Sequence, residues 1–415
     1  MMKYLLLIIF LLWHSTLNSA DLRLYNLGEL LLDYDINHYP KVMMRIKQTS
    51  SVIKNADVVF GNVETTVEPK GLSRTQLKAL YKNPSSRVIH HTPTDAIDIL
   101  AENLKVNLFS MANNHSFDLG KEGIIAGINH MEEKRLVYAG IGRNNKEATG
   151  YKILNTNGKK IAFFAFTNIT LVDKSNTPLS HSIPTETSAG LHYISGTYRT
   201  WNPIAKKKLL TSIKELKDQK KVDFILVSGH IHYTSKSKRP WSANGQYPTD
   251  IARNIIDAGA DAFLVEGPHS PKGFEIYKKK PIFYGVGNLI FNTRKNVGEY
   301  EHYRWYSYIA DTVFKENKLA AIKIIPLISN RVGLYGNPNT ETGKQRHLET
   351  RGFAVPVSGK DAQKVLQHIQ AQNKDNAQHD FITNIEINGD YAYWPNKETY
   401  LSEIIRLDNI GRRNN

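Results

Sequence analysis

Short apolar runs alternate with amphipathic segments along most of the chain. Residues 106–111 form a mostly apolar run that predicts a buried strand. Behind it, residues 121–134 carry apolar side chains such as Ile124 and Ile128 at the spacing of one helical face. The same alternation recurs several times, and it predicts an α/β protein built on a largely parallel sheet.

The other elements follow from the same periodicities. Further strands are predicted at residues 22–28, 57–60, 136–139, 223–227 and 262–265. Further helices are predicted at residues 42–54, 94–103, 203–218, 248–258 and 361–370, with Thr94 as an N-cap. Hairpins are predicted around Asn157-Gly158, around residues 278–280 and around Glu316-Asn317. Residues 68–87 are polar and rich in turn formers, which predicts a surface loop.

Side chains that can bind metal or transfer protons follow five of the predicted strands. They are Glu29, Asn62 with Glu64, Asn114 with His115, His230 with His232, and Glu266 with His269. In open α/β sheets ligands bind at the carboxyl ends of the strands, so these five groups are expected to converge. Carboxylate, amide and imidazole ligands without thiolate suit Mn, Fe, Zn, Mg or Ca, and the mixture of histidine with carboxylate favours the transition ions. Two such ions about 4 Å apart would clamp a phosphoryl group.

Each of these groups alone has an ordinary structural explanation. The turn that contains Asn114 could hydrogen-bond its own backbone, and residues 61–64 could cap a helix. His230 and His232 could be one buried and one solvated histidine. The interpretation as a site is favoured because all five groups occupy the same topological place, immediately after a strand.

Composition limits the partners. The chain has 415 residues, which is enough for one large domain or two ordinary ones. Its formal net charge of +15 favours an anionic partner, such as a phosphoester, an acidic polymer or an anionic membrane surface. No basic region is interleaved with aromatic residues, so nucleic acid is not expected. The chain contains no cysteine, which excludes a disulfide framework.

The first twenty residues resemble a secretory signal. Lys3 precedes an uninterrupted apolar run over residues 4–13, and a polar, small-residue stretch ends at Ala20. The apolar run is short for a bilayer span. These features predict export to the periplasm or cell envelope of a bacterium, with residues 1–20 as a signal peptide. An uncleaved anchor is the alternative, because Asn18 is a poor residue just before a cleavage site, and membrane association would then be anchored or peripheral.

Several longer motifs carry a family resemblance. They are GNVE at 61–64, ANNHSFDLGKEG at 112–123, YAGIGRN at 138–144, DAGADAFLVEGPH at 257–269 and GFEIYKKKPIFYGVGNLIF at 273–291. In this order they resemble the CapA-type family of capsule or poly-γ-glutamate synthesis proteins, which is similar to the calcineurin-like metallophosphoesterases. The resemblance covers residues 21–325, and the last two motifs are its most specific parts.

The resemblance implies a fold, a domain plan and a metal site. The implied fold is a layered α/β/β/α core over residues 21–325, with residues 326–415 as a C-terminal β/α extension that could pack on the same domain. Two divalent ions (Mn, Fe, Zn or Mg) are implied. The implied metal ligands are Glu29, Asn62, Glu64, Asn114, His230, His232, Glu266 and His269. His115 would protonate a leaving oxygen as a general acid, in a catalytic group with Asn114 and Asp118.

Three positions depart from the family pattern. Glu29 stands where the family has aspartate, a longer side chain with the same charge. Glu266 stands where the family has histidine, which replaces a neutral nitrogen ligand with an anionic oxygen. His232 stands where the family has glycine and adds a ligand candidate. Metal binding is compatible with all three changes, whereas metal identity and activity depend on them.

The expected function is therefore that of an exported protein of capsule or poly-γ-glutamate synthesis or export, working with envelope machinery on an anionic polymer or phosphoester. One alternative is a metal-dependent hydrolase acting on another envelope substrate. Another is a polymer-binding protein without catalysis, or a scaffold whose site is inactive. Ligand chemistry alone does not choose between these reactions.

Overall fold

The computed structural model describes nine stretches of the chain. They are residues 21–32, 40–81, 89–169, 182–196, 200–232, 247–292, 305–329, 352–375 and 385–413. The predicted signal over residues 1–20 lies outside them. Among the described residues, no helix is long and apolar enough to cross a membrane.

Twenty strands and nine helices lie within the described residues. The strands are β1 (Leu22–Leu32), β2 (Val58–Asn62), β3 (Thr66–Val67), β4 (His91–Thr92), β5 (Leu108–Ser110), β6 (Val137–Ala139), β7 (Ile141–Gly142), β8 (Lys152–Thr156), β9 (Lys159–Thr167), β10 (Gly190–Leu191), β11 (Phe224–His230), β12 (Ala262–Glu266), β13 (Phe274–Tyr277), β14 (Lys280–Phe283), β15 (Asn288–Asn292), β16 (Tyr306–Lys315), β17 (Lys318–Ser329), β18 (Ala354–Pro356), β19 (Glu386–Asn388) and β20 (Tyr391–Trp394). The helices are α1 (Pro40–Ser50), α2 (Arg74–Ala79), α3 (Thr94–Asn103), α4 (Gly120–Glu133), α5 (Asn145–Thr149), α6 (Pro203–Asp218), α7 (Thr249–Ala258), α8 (Gly359–Asp375) and α9 (Lys397–Arg413).

Two large sheets make up the centre of the protein. The first has the order β19-β20-β17-β16-β1-β2-β5-β6, with β15 also paired to β1 and β18 to β17. The second has the order β13-β14-β12-β11-β9-β8. In the first sheet β1, β2, β5 and β6 are parallel, and in the second β9, β11, β12 and β14 are parallel.

The sheets pack face to face between two layers of helices. Phe60 of the first sheet and Phe163 of the second meet edge to face at 5.8 Å within the apolar core between the sheets. Helices α1, α3 and α4 bury their apolar faces on the outer side of the first sheet, and α6 and α7 do so on the second. Alternate residues of each buried strand therefore face a different core. This is the α/β/β/α layering that was expected, and the predicted fold class is confirmed.

The alternation of strands and helices predicted one sheet with one carboxyl edge, and that part was wrong. The parallel strands divide between two sheets, and their carboxyl ends open side by side. The two ends touch directly, because the backbone N–H of Gly267, after β12, donates a hydrogen bond to Glu29 Oε1 in β1. We call this combined boundary the exit edge.

Asn62 and Glu266, predicted just after strands, are the last residues of β2 and β12. Two further residues predicted on loops also lie in strands. Glu29, expected after the first strand, lies inside β1, where it pairs with Asn62 of β2 and Asn288 of β15. His230, expected in an exit loop, is the last residue of β11 and pairs with Glu266 of β12. In both cases strands on either side supply backbone partners, so pairing continues beyond the apolar run.

Two smaller predictions, for the segment 68–87 and for the start of α3, also differ from the structure. The segment predicted as a surface loop contains α2, which begins with a capping box between Ser73 and Gln76. Thr94 is not the N-cap of α3, because Pro93 occupies that position.

The chain after residue 326 joins the same first sheet. Strand β18 pairs with β17, and β20 joins β17 to β19. Helix α9 is held by Tyr400, whose hydroxyl donates to Asp311 Oδ2 of β16. The same carboxylate accepts Arg23 Nη2 of β1 at 2.8 Å, so the first strand and the last helix share one buried ion pair.

Candidate metal centre

The five predicted groups meet in the exit edge between the two sheets. The first sheet supplies Glu29 from β1, Asn62 from the end of β2, Glu64 just after it, and Asn114 after β5. The second supplies His230 from β11 with His232 just after it, and Glu266 from β12 with His269 just after it. Glu29, Glu64, Glu266 and His230 are each 1% exposed or less.

Glycine is required where Glu29 enters the site. Gly28 has φ +76°, and a Cβ there would lie 2.3 Å from the carbonyl oxygen of Gly287. A side chain at this position is therefore excluded both by conformation and by space. The pairing of β1 shifts register next to Glu29, which is the effect of a bulge that redirects a side chain.

His230 lies at the centre of the cluster. Its Nε2 is 2.8 Å from Asn114 Oδ1 and 3.0 Å from His232 Nε2. Its Nδ1 is 3.2 Å from Asn62 Nδ2 and 3.3 Å from Glu29 Oε1. Asn62 in turn donates to Glu29 Oε2 at 2.6 Å. The imidazole thus joins ligand candidates from both sheets.

A subset of these side chains has the spacing of a metal site. Glu64, His230 and His232 each offer one ligand atom, and these atoms lie within 4.8 Å of one another. Glu64 Oε1 is 3.7 Å from His230 Nε2 and 3.5 Å from His269 Nε2. The Glu64 carboxylate therefore lies between an imidazole of β11 and an imidazole of the loop after β12, an arrangement that a divalent cation could bridge.

Three buried oxygens in the cluster have no hydrogen-bond donor among the residues that the structure describes. They are Asn62 Oδ1, Glu64 Oε2 and Glu266 Oε1. A buried oxygen without a donor costs about 1–3 kcal/mol, and more if it is charged. All three are hard ligands of the type that divalent cations take. The residues present therefore fit a divalent metal.

The electrostatics of the cluster agree with this assignment. Burial, followed by the negative charge of Glu29, raises the pKa of Glu64 well above its usual value. The same two causes raise the pKa of Glu266. Burial opposes ionisation of Glu29 too, but the neighbouring His230 outweighs it and lowers the pKa of Glu29. Three carboxylates in one buried space repel one another unless a cation compensates them.

The loop after β5 holds the catalytic candidate. His115 Nδ1 is 2.7 Å from Asp118 Oδ2, and the His115 side chain is 13% exposed whereas Asp118 is buried. Asp118 Oδ2 also accepts the backbone N–H of His90 at 2.8 Å. A carboxylate on Nδ1 fixes the ring orientation and leaves Nε2 as the proton-exchanging atom. This is the geometry of an oriented general acid or base.

Two residues around the site were not predicted from the sequence. The ring of His90 packs edge to face on His115 with centroids 4.3 Å apart. Asn288, at the start of β15, contacts His269 through Oδ1 at 2.9 Å from Nδ1. Asn288 lies within the motif GVGN at 285–288, which could have pointed to it. His90 follows a polar loop segment and had no comparable signal.

Comparison with known proteins identifies the family of the chain. The model of the bacterial capsule synthesis protein family PGA_cap matches residues 15–293, about two thirds of the chain. The chain belongs to this family. The matched residues include every residue of the candidate site described above.

Individual relatives are distant. An uncharacterized protein, y4sH, of Sinorhizobium fredii is 22% identical, with 77% of this chain and 82% of that protein covered. The capsule biosynthesis protein CapA of Bacillus anthracis is 26% identical, with 68% of this PGA_cap chain and 60% of CapA covered. Among solved structures, a putative 5'-nucleotidase from Staphylococcus aureus in complex with α-ketoglutarate is similar at 12% identity, with 79% of this chain and 58% of that chain covered and a TM-score of 0.38.

Proposed function

We propose that this protein is exported and acts in the synthesis or export of an anionic envelope polymer through a divalent-metal centre at the exit edge. The single observation that carries the proposal is the meeting of three buried carboxylates and three imidazoles around oxygens that lack donors. Such a set is costly to bury unless a cation compensates it. Membership of the PGA_cap family supports the polymer class.

The site would hold one or two divalent ions, with Mn, Fe, Zn and Mg as candidates. Its ligands would be Glu29, Asn62, Glu64, Asn114, His230, His232, Glu266 and His269. A divalent ion there would polarise a phosphoryl or carbonyl oxygen and lower the pKa of a bound water. Side chains of the protein would supply the proton and attract the substrate. His115, oriented by Asp118 at 2.7 Å, would deliver a proton to the leaving group. The formal charge of +15 favours approach of an anionic substrate.

The reaction that this arrangement supports best is hydrolysis of a phosphoester or of an amide within an acidic polymer. A polymer-binding protein without turnover is the second candidate. Glu266 favours it, because a third buried carboxylate that ligates a cation offsets the charge of that cation beside an anionic substrate.

The test combines metal analysis with a substrate screen on the full chain, purified without chelator. Glu64→Gln together with His230→Ala removes the central ligands, and Glu275→Gln is the matched control, since Glu275 is a buried glutamate bound to Arg253 and Tyr284. Wild type and control should contain metal and the double variant should not. The wild type and the Glu275→Gln control should also hydrolyse an aryl phosphoester or poly-γ-glutamate. Metal without turnover on any substrate would favour the binding role, and absence of metal from the wild type would refute the metal centre.

A further inference from the structure

Cationic side chains are concentrated at the edge opposite the metal centre. At this edge the parallel strands begin, and we call it the basic edge. Its basic residues are Lys54 before β2, Lys105 before β5, Arg135 before β6, Lys160 at the start of β9, Lys220 and Lys221 before β11, Lys278 and Lys279 before β14, and Lys315 and Lys318 at the turn between β16 and β17. All of these residues are exposed.

The basic edges of the two sheets form one continuous surface. Asp57, before β2 of the first sheet, accepts Asn157 Nδ2 at 2.7 Å and Lys159 Nζ at 2.8 Å from the β8–β9 hairpin of the second. Further along, the backbone N–H of Leu319 in β17 donates to the carbonyl of Lys279 at 3.3 Å. The cations on both sheets therefore share a single face of the molecule.

Acidic residues neutralise only part of this charge. Of the cations named above, Lys278 is paired with Asp257, and Lys315 lies 4.0 Å from Glu403. Elsewhere on this face Asp261 is paired with Lys217 and Lys280, and Asp57 is paired with Lys159. Lys160, Lys221, Lys279 and Lys318 take part in no ion pair within the described residues. Glu316 is the exposed acid in the β16–β17 turn. The face retains a clear excess of positive charge.

Backbone conformation gives an independent sign that these cations have a role. Lys105, Arg135, Lys220, Lys278 and Lys279 all have φ between 49° and 61°. Glycine and asparagine adopt this left-handed region at lower cost than a residue with a long side chain. Lysine or arginine occupies positions where the turn alone would favour glycine or asparagine, so the turn geometry does not account for the charge.

The N-terminal segment leaves the fold at the same face. Asp21 immediately precedes β1 and accepts the backbone N–H of Glu316 in the β16–β17 turn at 3.1 Å. The apolar run over residues 4–13 is separated from Asp21 by residues 14–20. Seven residues span at most about 25 Å. If the protein is exported through this apolar run, as proposed above, the start of β1 at the basic edge would be held within about this distance of the lipid headgroups.

We propose that the basic edge docks on an anionic lipid surface, with the metal centre facing away from it. Strand β9, with nine residues, connects the two edges and is about 30 Å long. The site would then stand about that far from the headgroups, open to a polymer in the surrounding solvent. Juxtamembrane lysines near an anionic surface each raise the partition coefficient roughly fivefold.

The experiment measures binding of the full chain to vesicles of phosphatidylcholine, alone or with one quarter phosphatidylglycerol, at about 0.1 M and about 0.5 M salt. The contribution of the apolar N-terminal run cancels in the ratio of the partition coefficients for anionic and for neutral vesicles. The test variant changes Lys160, Lys221, Lys279 and Lys318 to glutamine. The matched control changes Lys121, Lys146, Lys207 and Lys208, four exposed lysines of α4, α5 and α6 near the exit edge.

The wild type and the control should prefer anionic vesicles, and high salt should reduce the preference. The four basic-edge substitutions should lower it roughly tenfold or more. The same four positions changed to arginine should keep it, which separates lost charge from lost folding. Equal loss in test and control variants, or no preference in the wild type, would overturn the proposal. So would loss of poly-γ-glutamate binding with vesicle binding intact, since the edge would then bind acidic polymer.

Discussion

Asn288 holds His269 from two directions. Its Oδ1 lies 2.9 Å from His269 Nδ1, and its Nδ2 donates to the His269 carbonyl at 3.2 Å. Because an amide oxygen only accepts, Nδ1 carries the proton and Nε2 is left with its lone pair, 3.5 Å from Glu64 Oε1. His269 also has φ 48°, an uncommon conformation for this residue that the Asn288 contacts help to maintain.

Replacing Asn288 by alanine should weaken metal binding without unfolding the protein. The imidazole would lose the partner that fixes its tautomer, and such supporting contacts are worth about 10- to 100-fold in affinity. A competition titration with a chelator measures the dissociation constant. Asn288→Asp is the control, because its carboxylate still accepts from Nδ1 and should retain most of the affinity. Equal affinity of wild type and Asn288→Ala would mean that His269 is not a ligand.

His115→Gln should separate catalysis from metal content. Loss of a general acid lowers kcat by about 10²- to 10⁴-fold, whereas His115 is not among the proposed ligands and metal stoichiometry should stay unchanged. The pH dependence of kcat should lose one limb. His130→Gln, which removes a buried histidine of α4 bound to Asp98 of α3, is the control and should keep full activity. Parallel loss of metal and rate would assign His115 to the metal instead.

Glu266→His should shift metal preference toward Zn and raise any hydrolytic activity. Glu266 is 1% exposed, so it does not point into solvent, and one of its oxygens lacks a donor. A neutral imidazole would remove one negative charge, which strengthens the pull of a cation on bound water and the attraction of an anionic substrate. Metal content and rate are measured on the same preparations. If both match the wild type, Glu266 is not a ligand.

A buried histidine outside the site should make the fold sensitive to acid. Burial lowers the pKa of His192 from 6.5 to about 4, and the neutral ring donates from Nδ1 to the Ala165 carbonyl at 2.9 Å. The unfolded chain takes up this proton near pH 6.5 and the folded chain only near pH 4. His192 therefore contributes stability that is fully present above pH 6.5 and is lost as pH falls toward 4, by about 3 kcal/mol.

His192→Gln should flatten the dependence of the free energy of unfolding on pH between 6.5 and 4. Denaturant titrations at several pH values measure the slope. Leu191→Ala is the control, because it destabilises the neighbouring buried position and leaves the titrating group in place. Identical slopes in wild type and His192→Gln would show that other groups dominate acid unfolding.

Sequence periodicity located most elements, because burial of one helical face or of a short apolar run leaves a local signal. Helix α6 spans the predicted residues 203–218. The division into two sheets left no such signal, since it depends on which distant strands pair. For the same reason the sequence predicts a loop at Glu29, whereas pairing with β2 and β15 extends β1 beyond Gly28.

Ligand-type side chains that recur at strand ends predict the site residues, but this signal marks only residues that follow strands. Asn288 begins a strand, and His90 precedes the short strand β4. Asn288 acts through its contact with His269, and His90 through its contact with His115. The two members of each pair are well separated in sequence and come together only when the chain folds. Supporting residues of this kind can be identified only from the three-dimensional positions of the candidate ligands.

The shared ion pair of Arg23, Asp311 and Tyr400 has a consequence for the order of folding. Arg23 and Tyr400 are 377 positions apart, yet both contact the same carboxylate. A chain leaves the ribosome from its N-terminus, so the first strand exists long before its final neighbours. Contacts of such sequence separation form late and slow the search for the native state. The native partner of the Arg23 charge, Asp311, is therefore synthesised 288 positions after it, and the network of contacts is complete only when Tyr400 of the last helix has been added.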